Sequence, residues 1–380
     1  MLAFHQVSHI TALAAHPGVA VTWVVQEALS PERSALGWTV PEIAGVEVVV
    51  APDEAAIRRL VSERPDDSVH VFTGIHQDPV ARKAFYLCAH SAAKVGLLVE
   101  APFPGRLRDL ISPILHRAHR LFYGKRIRFI IAMGHMAAEF YESVGYSRAL
   151  IFPYGYFPPA PADSSDPTAG LPRKSEVQLL YLGQLTQRKG VDLLLDALGP
   201  LTDLDWRLTI VGSGDQKDTL AALSKQLGLE RRLTFYASLE NQAAMRLMGQ
   251  SDLLVLPSRH DGWGVVVNEA LMRGVPVICS DNCGSSDLLA ESWLGEAFAA
   301  GSVPSLKAAL RRWISRGRRT PEETEKIRAW SRRIEGDVAA RYLLQAIRCA
   351  LFQEPRPSPP WQDTPRAAAP IERHLKAETT

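Results

Sequence analysis

Cysteine is scarce in this chain. Four thiols in 380 residues, at positions 88, 279, 283 and 349, are too few and too scattered for a disulfide framework. Cys279 and Cys283 lie close together but have no second pair nearby. A four-ligand zinc site is therefore not expected, and buried or incidental thiols in a reducing cytoplasm are. Net charge is also nearly absent. The 43 Lys and Arg almost cancel 41 Asp and Glu to leave +2, so nothing global demands nucleic acid. No apolar run approaches the roughly 20 residues of a membrane-spanning helix. The apolar N-terminus, MLAFHQVSHITALAAHPGVAV, lacks a basic opening and is broken by His5 and His9, so it does not read as a secretory signal.

The balance that remains is that of an ordinary globular protein. Hydrophobic residues make up 46% and charged residues 22%, and the length suggests two domains. Both halves alternate short apolar runs with helical periods, the mark of βαβ units and a parallel sheet. In the second half VQLLYLG (177–183), WRLTIVGSG (206–214), RLTFYAS (232–238), DLLVLPS (252–258) and VPVICSD (275–281) read as strands. Their continuous apolar character suits strands covered on both faces. VAVTWVV, VEVVVA, SVHVFTG, AKVGLLVE and FIIAMG repeat the rhythm in the first half. The chain enters a helical pattern almost at once. Either the first strand is very short or the given start lies inside a longer frame.

Composition divides the chain further. A first domain covers 1–157. A Pro-, Ser- and Asp-rich linker follows at 158–175, and a second domain spans 176–333. A helix at 334–352 is expected to cross back to the first domain. The Pro- and Ala-rich end, 353–380, is expected to be disordered.

The motifs fall at strand ends, where open α/β sheets bind ligands. LGQLTQRKG follows the first strand of the second half. Gly183 permits close backbone approach, and Arg188 and Lys189 add cations before a helix N-terminus, a combination suited to a diphosphate. Taken alone, the segment also fits a solvated basic turn. VGSGD supplies Gly212 and Gly214 at a second tight turn, without the third glycine of a dinucleotide fingerprint. In PSRHDGWGVVVNEALMRGVPVICSD, Asp261 and Glu269 bracket Gly262, Trp263 and Gly264. Carboxylates accept hydrogen bonds from vicinal hydroxyls, so two acids around one pocket suggest a polyhydroxylated ligand. Singly, Asp261 is also a plain loop acid and Glu269 a plain partner of a helix dipole.

In this order, on successive units, the three segments resemble the nucleotide-binding domain of the GT-B glycosyltransferases of family 4. That family carries G-R-L-x-x-x-K-G, a VGxG turn, and an acid-x7-acid motif within P-S-x-x-E-G-x-G-x-x-x-x-E-A-x-x-x-G-x-P-V-I. The resemblance runs from about Leu179 to Leu289 and is looser in the first half. There FHQVSHITALA, LLVEAPFP, AMGHMAAEFYESVGY and IFPYGYF look like a branch that builds bacterial surface or exported polysaccharides. It implies a GT-B fold, with two Rossmann-like doubly wound domains facing each other across a cleft.

It also implies a retaining, metal-independent hexosyltransferase that takes its sugar from a UDP- or GDP-sugar and needs no other cofactor. The acceptor would be a glycan or lipid-linked saccharide, and no nucleic acid is implied. By the resemblance, Lys189 contacts the donor diphosphate, Asp261 the donor sugar and Glu269 the ribose. Backbone amides at Gly262, Trp263 and Gly264 face the sugar and phosphates. Two positions depart from the pattern. Asp261 replaces the usual Glu, and Gln184 stands where the family usually has Arg, leaving Arg188 as the substitute cation. The acceptor half offers Glu100, at the end of AKVGLLVE, and His76, in FTGIHQD, as catalytic candidates beside Asp261. A turn-forming role would explain either one equally.

The segment 104–129 is basic and interleaved with Leu, Ile and Phe. It reads as a contact with anionic lipid at the inner membrane face, or as a helix whose basic face is merely solvated. Two other readings of the whole chain stay open: a nucleotide-sugar epimerase of the same fold, and a non-catalytic nucleotide-sugar- or glycan-binding protein.

Overall fold

The computed structural model describes residues 4–28, 43–73, 75, 78–103, 105–161 and 175–362. Helix α1 (Phe4–Ala14) opens the chain. It is followed by strands β1 (Val21–Val25) and β2 (Val46–Val50), which form a two-stranded parallel sheet. Helix α2 (Glu54–Ser62) leads to β3 (Val69–Phe72), α3 (Pro79–Ala89), β4 (Lys94–Val99), α4 (Arg106–Tyr123), β5 (Ile127–Met133), α5 (Gly134–Ser143) and β6 (Ile151–Tyr154). Strands β3 to β6 pair in parallel in that order. No strand among the described residues joins the two sheets of this first domain, and residues 4–14 are helical.

The second domain holds β7 (Val177–Leu182), α6 (Val191–Leu198), β8 (Trp206–Val211), α7 (Lys217–Gln226), β9 (Leu233–Tyr236) and α8 (Asn241–Gln250). It continues with β10 (Leu253–Leu256), α9 (Val266–Met272), β11 (Val277–Ser280), β12 (Gly295–Phe298), α10 (Val303–Ser315) and α11 (Pro321–Ser331). Its strands lie in the order β9-β8-β7-β10-β11-β12, all parallel. This is the doubly wound order 3-2-1-4-5-6, and its topology reverses between β7 and β10. The apolar runs explain the strands. All four residues of β10 and of β11 are buried, as both-faced burial requires. Strands β6 and β12 are four residues each and too short to announce themselves by periodicity.

Helix α12 (Gly336–Phe352) packs along α1. A Cβ on Gly336 would overlap Ser8, so the missing side chain sets that approach. Tyr154 donates to the carbonyl of Ala339 at 3.4 Å, and its ring stacks on Tyr342 with centroids 6.2 Å apart. The expected disorder from 353 onward needs correcting for 353–362. Arg356 donates to the carbonyls of Ala149 and Ile151 and lies over the Phe152 ring. Trp361 is 1% exposed and packs on Phe157 and Tyr342. A composition rich in proline hides the one aromatic residue that anchors this segment. Residues 363–380, and 162–174 of the expected linker, lie outside the described residues.

Candidate functional site

The switch point brings together the turns after β7 and β10. The turn after β7 closes in a short 3₁₀ helix, Gln187–Lys189, which ends at Gly190 with φ +66°. That left-handed geometry favours glycine, and a Cβ there would also strike the carbonyl of Pro257. Backbone pairing then locks the two turns, with Arg259 N donating to Arg188 O at 2.8 Å. Arg259 reinforces the junction through a two-pronged ion pair with Asp192, at 2.8 and 2.6 Å.

Within this junction Lys189 and Asp261 meet. Lys189 Nζ lies 2.5 Å from Asp261 Oδ2. Arg188 Nη1 lies 3.7 Å from the other carboxylate oxygen and donates to the carbonyl of His260 at 3.1 Å. Its guanidinium also sits over the ring of Phe103, from the first domain, at 5.5 Å. Arg188 is thus aimed at Asp261, whereas Gln184 is exposed on the outer side of the turn. Tyr181, beneath, donates to the carbonyl of Gln184 at 2.6 Å. Burial and the charge of Asp261 push its hydroxyl well above the usual phenol range.

The glycines of VGSGD have a packing explanation. Cβ atoms on Gly212 and Gly214 would strike the carbonyls of Gly183 and Leu185. Leu185 N donates to Ser213 O at 2.8 Å, and Gln216 N to Leu185 O at 2.9 Å. The second turn therefore supports the first from behind.

The Gly262-Trp263-Gly264 loop faces the first domain. Trp263 is 2% exposed, and its indole lies against Gly155, where any side chain would collide with the ring. Trp263 Nε1 donates to Asn268 Oδ1 at 2.8 Å, and Asn268 Nδ2 donates to Tyr156 O at 2.9 Å. Gly264, at φ +86°, has Cys283 Sγ 2.8 Å from where its Cβ would be. The amides of Gly262, Trp263 and Gly264 donate to no protein acceptor among the described residues. Successive backbone amides left without a protein acceptor are groups that a ligand oxygen can use.

Glu269 lies on α9, one residue beyond Asn268. Its carboxylate accepts no hydrogen bond among the described residues, and burial pushes its pKa up to about 7 against the opposing charge of Arg273. Such a half-buried, unpaired acid is suited to taking hydroxyl hydrogens from a ligand.

Glu100 comes across from the end of β4. A Cβ on Gly262 would lie 2.7 Å from Glu100 Oε2, so this acid touches the loop that carries Asp261. Tyr156 donates its hydroxyl to Glu100. His76 lies outside the described residues. The sequence reading missed the interdomain contact behind the site. Gly134, at φ +70°, sits with Gly284 Cα 2.6 Å from its would-be Cβ, and His135 Nδ1 meets Asp287 Oδ1 at 2.9 Å. Burial works against charge on His135, but Asp287 and Glu139 outweigh it and raise its pKa. A glycine-histidine pair directly after FIIAM was the available signal. A cavity of about 400 Å³ opens beside the junction, lined from both domains by Ala101, Pro102, Met136, Glu139, His260 and Asn282 among others.

Known proteins resemble this chain in part of its sequence and in its fold. Residues 165–332 match the family of glycosyl transferases group 1. A Mycobacterium tuberculosis glycogen synthase is 32% identical over 142 residues, 37% of this chain and 34% of that protein. The lipopolysaccharide 1,6-galactosyltransferase of Salmonella typhimurium is 30% identical over 148 residues, 38% of this chain and 41% of that protein. The chain thus aligns with well under half the length of these curated relatives. Among solved structures, Anabaena HepE in complex with UDP superposes with a TM-score of 0.68 at 15% identity, covering 91% of this chain and 96% of that one. A Rickettsia africae glycosyltransferase gives 0.64 at 13%, covering 91% and 94%. These likenesses establish the GT-B fold, and the group 1 match covers the switch-point site in full.

Proposed function

We propose that this chain is a retaining, metal-independent glycosyltransferase that moves a hexose from a nucleoside diphosphate sugar to a glycan or lipid-linked saccharide in polysaccharide synthesis. One observation carries the reading. Lys189 pairs with Asp261 where the sheet order reverses, the loop amides and Glu269 follow Asp261 on the same connection, and Glu100 reaches Gly262 from the facing domain. In the reaction the bond from the sugar C1 to the donor diphosphate breaks, and a bond from C1 to an acceptor oxygen forms. The acceptor hydroxyl proton ends on the departing side. Lys189, Arg188 and the loop amides offset the charge that develops on the leaving diphosphate, which removes the need for a cation.

Lys189 begins in an ion pair with Asp261, so donor binding divides that pair. The phosphates take Lys189 and the sugar hydroxyls take Asp261. Glu269 receives the ribose hydroxyls, and Glu100, held by Tyr156, serves the acceptor side of the reacting centre. The UDP and UDP-glucose complexes of the Anabaena protein make UDP-glucose the first donor to try. We place the enzyme in the cytoplasm.

Calorimetry with UDP-glucose and GDP-mannose tests the site. One donor binds, and Lys189→Ala and Glu269→Ala each weaken it. Product NMR then reads the anomeric configuration, and activity persists in EDTA. Gln184, in place of a phosphate cation, favours one second reading, a binding protein without turnover. Donor binding without transfer to any saccharide acceptor would select it, and indifference of binding to both substitutions would remove both readings.

A further inference from the structure

Helix α4 presents its apolar residues to solvent. Ile111, Ile114, Leu115, Leu121 and Phe122 are 46%, 64%, 55%, 76% and 79% exposed. Their spacing places all five on one face. The opposite face is the packed one. His119 lies 5.0 Å and Tyr123 5.7 Å from the ring of Phe85, and His116 lies 5.4 Å from that of Tyr141. The core-facing stripe of this helix is therefore aromatic and imidazole, and a second, aliphatic stripe has nothing over it. Scattered exposed apolar residues are ordinary, but a continuous helical stripe of them is not.

Between Asp109 and Glu139 the chain is charged with one sign. From 110 to 138 the chain holds five Lys and Arg and no Asp or Glu, although the whole molecule carries only +2. Arg117, Arg120, Lys125 and Arg128 have no acidic partner among the described residues. Arg117 borders the stripe and also donates to the carbonyl of Ser143 at 3.4 Å, Arg120 lies on the far side of the helix beside Gly145, and Lys125 and Arg128 follow the stripe's C-terminal end.

We propose that this face of α4 docks the protein onto an anionic lipid surface, with Leu121 and Phe122 entering the acyl boundary and the cations meeting headgroup phosphates. No helix among the described residues is long and apolar enough to cross a membrane, so the contact lies in the interface plane. A second copy of the chain fits this face poorly. A two-fold contact through it would bring together the same uncompensated cations, Arg117, Lys125 and Arg128, from both copies, with no acid on the face to offset them. Arg117 reaches Ser143, a residue that lines the cleft cavity, so the N-terminal part of the docked face adjoins that cavity's wall. The docking itself does not depend on the sugar-transfer reading. Only its consequence does, that the acceptor is the lipid-linked kind.

The test is sedimentation of the full chain with vesicles of phosphatidylcholine alone and of phosphatidylcholine mixed with phosphatidylglycerol. The protein is expected on the anionic vesicles and to leave them as salt is raised. Leu121→Ser with Phe122→Ser should lower partitioning by about tenfold or more, with an unchanged thermal melt because both side chains are already exposed. Lys125→Glu with Arg128→Glu should abolish the preference for anionic vesicles. Absence of the protein from anionic vesicles, or equal partitioning of both variants and the parent, overturns the proposal. So does a dimer in light scattering that the Leu121/Phe122 variant converts to monomer, since a second copy would then cover the face.

Discussion

Glu269 offers the sharpest test of the site, because its ionisation and its proposed ligand pull in opposite directions. In the empty protein burial raises its pKa from 4.5 to about 7. The proton is therefore held more tightly in the folded than in the unfolded chain. The folded state binds the extra proton between those two values, so this group's contribution falls as pH rises from 4.5 to about 7 and is flat above. At about 1.4 kcal/mol per pKa unit the span is about 3 kcal/mol, an upper value for a group with some solvent contact. Ribose hydroxyls, by contrast, donate best to the carboxylate. Donor binding must then expel the proton, and affinity should fall about tenfold for each unit below pH 7 until the bound-state pKa is reached. The assay is calorimetry with a nucleoside diphosphate sugar, whose two phosphates are esterified and do not titrate near neutrality. Runs at about pH 6 and 8, in buffers of different ionisation enthalpy, read affinity and proton release together. Glu269→Gln should remove the pH dependence of affinity and the part of the stability profile that falls between pH 4.5 and about 7 on account of this group. An affinity that stays flat over this range, or that slopes equally in Glu269→Gln, refutes the assignment of the ribose to this acid.

Four other outcomes follow from the geometry. Lys189→Ala should lower turnover by about 10²–10³. It should also lower the melting temperature, since Asp261, 8% exposed, loses its close partner; Lys189→Ala with Asp261→Asn should recover the stability but not the turnover. Gly155→Ala drives a methyl into the Trp263 ring and should separate the domains, enlarging the scattering radius while donor affinity changes little. Trp263→Phe removes the bond to Asn268 and should cost about 1 kcal/mol by chemical denaturation. The His135–Asp287 contribution is fully present below about pH 6.5 and lost as pH rises through the raised His135 pKa. Asp287→Asn should flatten that limb of the stability profile.

The second domain was legible because its strands are buried on both faces and announce themselves as continuous apolar runs. The lysine, acids and glycines of its candidate site stood out because they fall at the ends of those strands, where open α/β sheets bind ligands. What the sequence could not show was which glycine serves a ligand and which serves the protein. Gly212 and Gly214 fit against the carbonyls of the neighbouring turn, a reason that exists only once β7 and β8 are paired. Trp263 is a second case. Its indole is the surface on which Gly155 rests, a packing role that its place between two glycines does not reveal. Contacts such as Gly134 on Gly284 and His135 on Asp287 join residues 150 or more positions apart, and no local pattern encodes them. The exposed stripe on α4 inverted the usual rule, since helical spacing of Ile and Leu normally marks the buried side.

The stack of Phe157, Tyr342 and Trp361 has a mechanical meaning. The chain leaves the first domain at Phe157 and returns to it along α12, and the two crossings are fastened together by one buried indole. To slide one crossing past the other would draw Trp361 out of its packing against Phe157 and Tyr342. Cutting the chain after Phe352 would remove that pin and leave both crossings in place.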